Sequence, residues 1–147
     1  MLCYCQATYQ LLHSQIKGVL PEEHEELELL VEALPLCDRP PSHPFAGIVL
    51  DINIITKAHR DGMDDVICLV IPVGHWTGGE LCLHEPGICL ELSQGDIVIF
   101  RSREITHFNL RYDGYRASIV LHSDKHLKSW HHDRNGFHKF VYSDDTW

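Results

Sequence analysis

The sequence predicts a mainly β domain, a sandwich or barrel of the jelly-roll kind, with two helices in front of it. From residue 45 to 123, short apolar or β-branched runs recur at regular spacing, with turn signals between them. Ahead of that region the apolar residues follow a helical period. At 147 residues the chain has room for one core and not for two, so 1–147 is read as a single domain. Its parts are a helical cover over 1–44, a β core over 45–123 and a tail over 124–147.

The first helical stretch, Gln6 to Gly18, places Leu11, Leu12 and Ile16 at near-helical spacing and ends on a glycine. Pro21 opens a second stretch, with Glu22 and Glu23 behind it in the turn where the helix dipole favours negative charge. Leu27, Leu30, Val31 and Leu34 form its apolar face, and the glutamates are expected to be a solvated face. Pro35 and the segment from Asp38 to Pro44 end the helix in a stiff linker.

The strand-like runs follow: Ile48–Ile55, Val66–Ile71, Glu80–His84, Ile88–Leu92, Asp96–Phe100 and Ala117–His122. Val66–Ile71 is apolar throughout, as for a strand buried on both faces. Turns are signalled at Thr77-Gly78-Gly79, Glu85-Pro86-Gly87, Ser93-Gln94-Gly95-Asp96 and Tyr112-Asp113-Gly114. The tail is polar and aromatic and is expected to pack on the sandwich or close over a pocket mouth.

With 44% apolar residues and no run near the roughly 18–20 needed to span a bilayer, no membrane segment is expected. The start, Met1 to Gln6, lacks the pattern of a signal peptide, which points to an intracellular protein, nuclear or cytoplasmic. A net charge of −9 with neutral histidines disfavours tight, sequence-independent binding to nucleic-acid phosphates. Cys68, Cys82 and Cys89 lie inside apolar runs and are expected to fill the core as free thiols in a reducing compartment. Cys3 and Cys5 lack two further identifiable ligands for a metal.

Two histidines and one carboxylate suit ferrous iron, because a facial triad leaves three positions open for a co-substrate and oxygen. Three H-x-D matches exist: His59/Asp61, His122/Asp124 and His131/Asp133. Only His59/Asp61 follows a strand-like run and has a later histidine, His107, and an arginine, Arg116, on the next strand. His122 and His131 have too little chain after them and are read as surface or loop residues. On an extended segment His59 and Asp61 face the same side, and the third ligand is expected from a distant strand across the barrel. Ser118 shares the strand face of Arg116.

The order H-x-D, H, R-x-S on strand-like segments resembles the Fe(II)/2-oxoglutarate-dependent dioxygenases. Gly78-Gly79-Glu80-Leu81 and Ser93 to Phe100 resemble that family's segments too, and the likeness spans about residues 45–123. It is nearest the prolyl-hydroxylase-like and TET/JBP-like branches, and small fungal proteins near the latter. The resemblance implies a double-stranded β-helix (jelly-roll, cupin-like) in which His59, Asp61 and His107 hold Fe(II). It also implies that Arg116 and Ser118 grip the far carboxylate of 2-oxoglutarate through charge-assisted hydrogen bonds. The implied reaction couples decarboxylation of 2-oxoglutarate to hydroxylation of a C–H bond, consuming O2.

A methylated nucleobase is the first substrate reading, from the TET/JBP-like resemblance, and would have to be flipped into the pocket. The alternatives are a protein side chain or small molecule as substrate, or a non-catalytic cupin-like metal-binding module. Asn53 and Asn109 are further co-substrate candidates; Asn53 could instead close a strand end, and Asn109 could act behind the ligands. Arg60, Asp64 and Asp65 are read as solvated loop charges. Trp76 and Phe108 either stack on a planar substrate or pack at the rim. His75 and His84 have no partners at metal spacing.

Overall fold

A computed structural model describes residues 2–32, 34 and 40–133. Two helices come first, α1 (Leu2–Val19) and α2 (Pro21–Glu32). Seven strands follow: β1 (Gly47–Ile52), β2 (Cys68–Gly78), β3 (Leu81–Leu83), β4 (Ile88–Leu90), β5 (Val98–Phe100), β6 (His107–Asn109) and β7 (Tyr112–His122). A third helix, α3 (His126–Asp133), closes the described chain. The strands form two antiparallel sheets, one in the order β1-β7-β2-β5 and one in the order β4-β3-β6. This is the double-stranded β-helix expected from the sequence.

Strand alternation decides what each face of the larger sheet does. Leu69 and Ile71 on β2, Ile99 on β5, and Ile119 and Leu121 on β7 join Leu12 and Ile16 of α1, Leu27 of α2 and Phe45 in one core. The helices therefore cover the outer face. The intervening residues Cys68, Val70, Val98 and Phe100 point the other way, toward Leu81, Leu83 and Leu90 of the small sheet. Two apolar layers on opposite faces explain why the run before Pro72 is apolar throughout. Leu27, Leu30 and Val31 are buried, as the helical period predicts, whereas Leu11 is exposed.

Glu22, Glu25 and Glu26 of α2 are exposed, as expected, and Glu23 and Glu26 also form ion pairs. Glu23 meets Arg101 at 3.1 Å, and Glu26 meets Lys128 of α3 at 2.6 Å. The same lysine reaches Asp65 at 2.7 Å, so α3 is tied to α2 and to the core. Asp64 and Asp65 are buried and partnered, not solvated loop charges. The cysteines divide. Cys68 is a buried free thiol, while Cys82 and Cys89 face each other across β3–β4 and form a disulfide, contrary to the core-filling expectation for free thiols. Opposed positions on neighbouring strands bring their side chains within bonding reach. Cys37, linker residues 35–39 and the tail beyond 133 lie outside the described residues, as do the side chains of Cys3, Cys5 and His131. No helix among the described residues is long and apolar enough to cross a membrane.

The long β2–β7 pairing crosses at Gly74, opposite Arg116, where φ is +127°. A Cβ there would lie 2.2 Å from the carbonyl oxygen of Tyr115. Gly74→Ala should lower stability by about 2 kcal/mol or more, since strained φ alone costs roughly 1–3 kcal/mol. Gly18, at an exposed position of α1 with open space around it, is the control. Gly18→Ala should hold or raise the melting temperature, by up to ~1 kcal/mol of helix propensity. Equal effects of the two in thermal melts would contradict this reading of the crossing.

Candidate metal centre

His59 and Asp61 lie on the segment after β1, and His107 opens β6. An antiparallel bridge joins the two histidines: His59 N–H donates to His107 O at 3.1 Å and His107 N–H to His59 O at 2.9 Å. The ring centroids are 4.3 Å apart. The third candidate ligand is thus the directly paired neighbour, not a residue on a strand across the barrel as the sequence suggested. The reason is that the His59 segment itself adds to the edge of the small sheet beside β6. Asp61, two residues on, is held by its N–H to Ser102 O at 3.1 Å.

The ring orientations are set by the backbone. His59 Nδ1 lies 2.7 Å from Lys57 O, and His107 Nδ1 lies 3.0 Å from Ile105 O. A carbonyl only accepts, so each Nδ1 carries a proton and each Nε2 is left to face Asp61. His59 Nε2 is 3.5 Å from Asp61 Oδ1, and His107 Nε2 is 3.4 Å from Asp61 Oδ2. Ligand atoms bound to one ion at about 2.0–2.2 Å must sit close together in this way. The three side chains form one of two groups among the described residues able to hold a metal ion. The residues therefore fit a divalent transition metal.

Hydrogen bonding to His107 is the chief influence lowering the Asp61 pKa, and it outweighs the opposing effect of burial. Burial by itself would lower the His107 pKa, but bonds to Asp61 and the Ile105 carbonyl, with the nearby Asp61 and Asp64 charges, leave it raised. A second ring of contacts lies behind. Asp64 accepts from Ser102 Oγ at 2.6 Å and pairs with His122 at 3.1 Å. Glu85 accepts from the N–H and Oγ1 of Thr106, next to His107, at 2.6 and 2.7 Å, and from Arg60 at 2.5 Å. These bonds, Thr106 first, hold the Glu85 pKa down to about 2.

The triad lines a cavity of about 550 Å³ between the two sheets. Arg116, Ser118, Val120 and His122 enter it from β7, as alternate residues of one strand face must. Arg116 is 3% exposed. Its Nη1 donates to Gly79 O at 2.5 Å. With the Asn109 amide turned to donate to Thr56 Oγ1 at 2.9 Å, Asn109 Oδ1 accepts from Arg116 Nη1 and Nη2 at 2.8 and 3.1 Å. The guanidinium lies 5.3 Å from the Trp76 ring centre and 5.8 Å from that of Tyr112. Its Nε has no hydrogen-bond partner, and no carboxylate of the described residues pairs with it. Gly79 makes the seat possible, since a Cβ there would lie 2.9 Å from Arg116 Nη1.

Six of the seven residues singled out from the sequence line this one cavity: His59, Asp61, His107, Arg116, Ser118 and Asn109. Asn53 does not. It sits at a positive φ of 53° past the end of β1, where its Oδ1 accepts from Arg116 N at 3.1 Å and its N–H donates to Arg116 O at 2.8 Å. It closes the strand end. His122 is a cavity-lining strand residue and not the surface or loop residue expected; its even spacing from Arg116 and Ser118 on β7 was the available signal. Thr56, Asp64 and Ser102 carried no such signal. Cys68 also lines the cavity, but burial pushes its thiol up to about 12, which keeps it protonated.

No known family's sequence profile matches this chain, and no curated protein sequence matches it. Among solved structures it is similar to NgTET1 in complex with 5mC DNA, with a TM-score of 0.70 and 18% identity. The match covers 85% of this chain and 50% of that one, so the chain spans half the length of its structural neighbour. At that identity the likeness concerns the fold.

The opposed pKa shifts set a pH dependence. The raised His107 value contributes stability below the ordinary imidazole range, lost as pH rises through the raised value. The lowered Asp61 value contributes stability above the ordinary carboxylate range, lost as pH falls through the lowered value. Between those ranges the metal-free pair is ionised, and a metal must displace the His107 proton. Apparent affinity for Mn(II), measured by titration, should therefore climb as pH rises through and above the ordinary imidazole range. A pH-independent affinity would contradict His107 as a ligand.

Proposed function

We propose that the chain is an Fe(II)- and 2-oxoglutarate-dependent dioxygenase that hydroxylates a C–H bond. One observation carries this reading: a His/Asp/His group and a buried arginine without a carboxylate partner line the same cavity. An isolated buried guanidinium is costly, and a carboxylate of the co-substrate supplies its missing partner. His59, Asp61 and His107 would hold the iron. Bound iron supplies the oxygen chemistry that couples 2-oxoglutarate decarboxylation, giving succinate and carbon dioxide, to substrate hydroxylation.

The chain's own residues bind and orient. Arg116 takes the far carboxylate through its free donors, and Ser118, on the same strand face, adds a hydroxyl. Asn109, at the end of β6, braces the guanidinium, and Thr56 holds Asn109 in place. Val70, Leu81, Phe100 and Val120 form the apolar part of the wall and exclude water around the reacting groups.

A methylated nucleobase is the first substrate class, supported by the fold shared with NgTET1 in complex with 5mC DNA. Charge favours the second reading, a protein side chain or a small molecule. The net charge is −9, and the cavity lining carries Asp51, Asp61 and Asp64 against Arg60 and Arg116. Arg60 is itself engaged by Glu85. Any duplex contact must come from outside the cavity rim.

Succinate release with Fe(II), ascorbate and O2, in the presence of 5-methylcytosine DNA, tests the reading. His107→Ala and Asp61→Ala should abolish it while circular dichroism stays unchanged; full retained turnover would overturn the metal assignment. Arg116→Ala should raise the apparent KM for 2-oxoglutarate by about 30-fold, or roughly 2 kcal/mol, with iron affinity little changed. A loss of iron affinity instead would make Arg116 structural. Stimulation by methylated over unmethylated DNA would favour the nucleobase, and equal rates would favour the second substrate reading.

A further inference from the structure

A second group of metal-ligating side chains lies away from the cavity, under the helical cover. His13 comes from α1, His24 and Glu28 from α2, and His43 from the segment leading into β1. His24 and Glu28 are spaced i, i+4 and so share a helix face. His24 is 2% exposed, and the side chain of His43 is 9% exposed.

The ligand atoms crowd together. His13 Nε2 is 3.0 Å from His24 Nε2 and 3.2 Å from Glu28 Oε1. His24 Nδ1 is 3.5 Å from Glu28 Oε2, and His43 Nε2 is 3.8 Å from Glu28 Oε1. The His13 ring meets His24 edge-on at 4.5 Å and stacks on His43 at 5.1 Å. With one ligand atom from each, His13, His24 and Glu28 lie within 4.8 Å of one another, and bonds of about 2.0–2.1 Å to a tetrahedral ion would draw them to roughly 3.3 Å, with His43 Nε2 3.8 Å from Glu28 Oε1 as the fourth.

Hydrogen bonding alone serves the group poorly. Glu28 only accepts, so if His13 Nε2 carries the proton it has two acceptors to serve, and if His24 Nε2 carries it the lone pair of His13 Nε2 faces Glu28. A cation answers all the lone pairs at once. Three imidazoles and one carboxylate favour zinc over magnesium or calcium, which prefer oxygen ligands. We propose that His13, His24, Glu28 and His43 form a structural zinc site that clips α1, α2 and the segment before β1 together. The ion would act as a staple on the helical cover, since four protein ligands close a tetrahedral site against substrate.

The test uses the full chain carrying both His107→Ala and Asp61→Ala, so that the cavity site cannot compete. Metal-free protein should bind one equivalent of Zn(II) in a chelator competition, and its melting temperature should rise. Co(II) in its place should give the intense visible absorption of a tetrahedral ion. Adding Glu28→Gln, which keeps the side chain's size, should weaken zinc by more than the ~10–100-fold that loss of an outer partner costs. Folding of each variant is followed by circular dichroism. A folded parent that binds no Zn(II), a weak octahedral Co(II) spectrum, or unchanged affinity in Glu28→Gln would each overturn the proposal.

Discussion

Two backbone hydrogen bonds between His59 and His107 are the constraint on which the site depends. Strand pairing places both rings on one side of a short bridge, and the period of two places Asp61 beside them. The ligand geometry is therefore set by peptide groups, which have little freedom, and not by long side chains. Lys57 and Ile105 then supply the carbonyls that fix each imidazole proton. A candidate metal site built in this way has its side chains held by the backbone itself.

The second requirement is electrostatic. Burying Arg116 without a carboxylate is unfavourable, and the fold offsets only part of the cost. It does so with the Gly79 carbonyl, the Asn109 amide and the faces of Trp76 and Tyr112. Nε is left over. That incomplete set of partners leaves an unpaired cationic donor at one part of the cavity, while Asp61 places a carboxylate between two imidazoles at another. The two lie in one chamber because β7 faces the bridge across the gap between the sheets.

Much of this was legible in the sequence, for identifiable reasons. Local periodicity revealed the helices and the strand faces, so the shared side of Arg116 and Ser118 followed from their spacing alone. His122 obeyed the same parity, but its place near the end of the chain suggested a loop. The features that escaped depend on contacts between distant segments. The partner of His59 is decided by strand register, and so is the Cys82–Cys89 pairing. Asp64 and Asp65 become buried only through Ser102, His122 and Lys128. The histidines at 13, 24 and 43 follow no motif spacing, and the packing of α1, α2 and the segment before β1 brings them together.

The most direct measurement is an anaerobic titration of the Fe(II)-loaded protein with 2-oxoglutarate, read by visible absorption. Chelation of ferrous iron by a keto acid gives a charge-transfer band that neither component shows alone. A site made of His59, Asp61, His107 and Arg116 predicts that the band saturates with one equivalent of 2-oxoglutarate. It also predicts that Arg116→Ala needs far more of it. Absence of the band in the iron-loaded wild-type chain, or an identical titration in the variant, would contradict the assignment of this cavity.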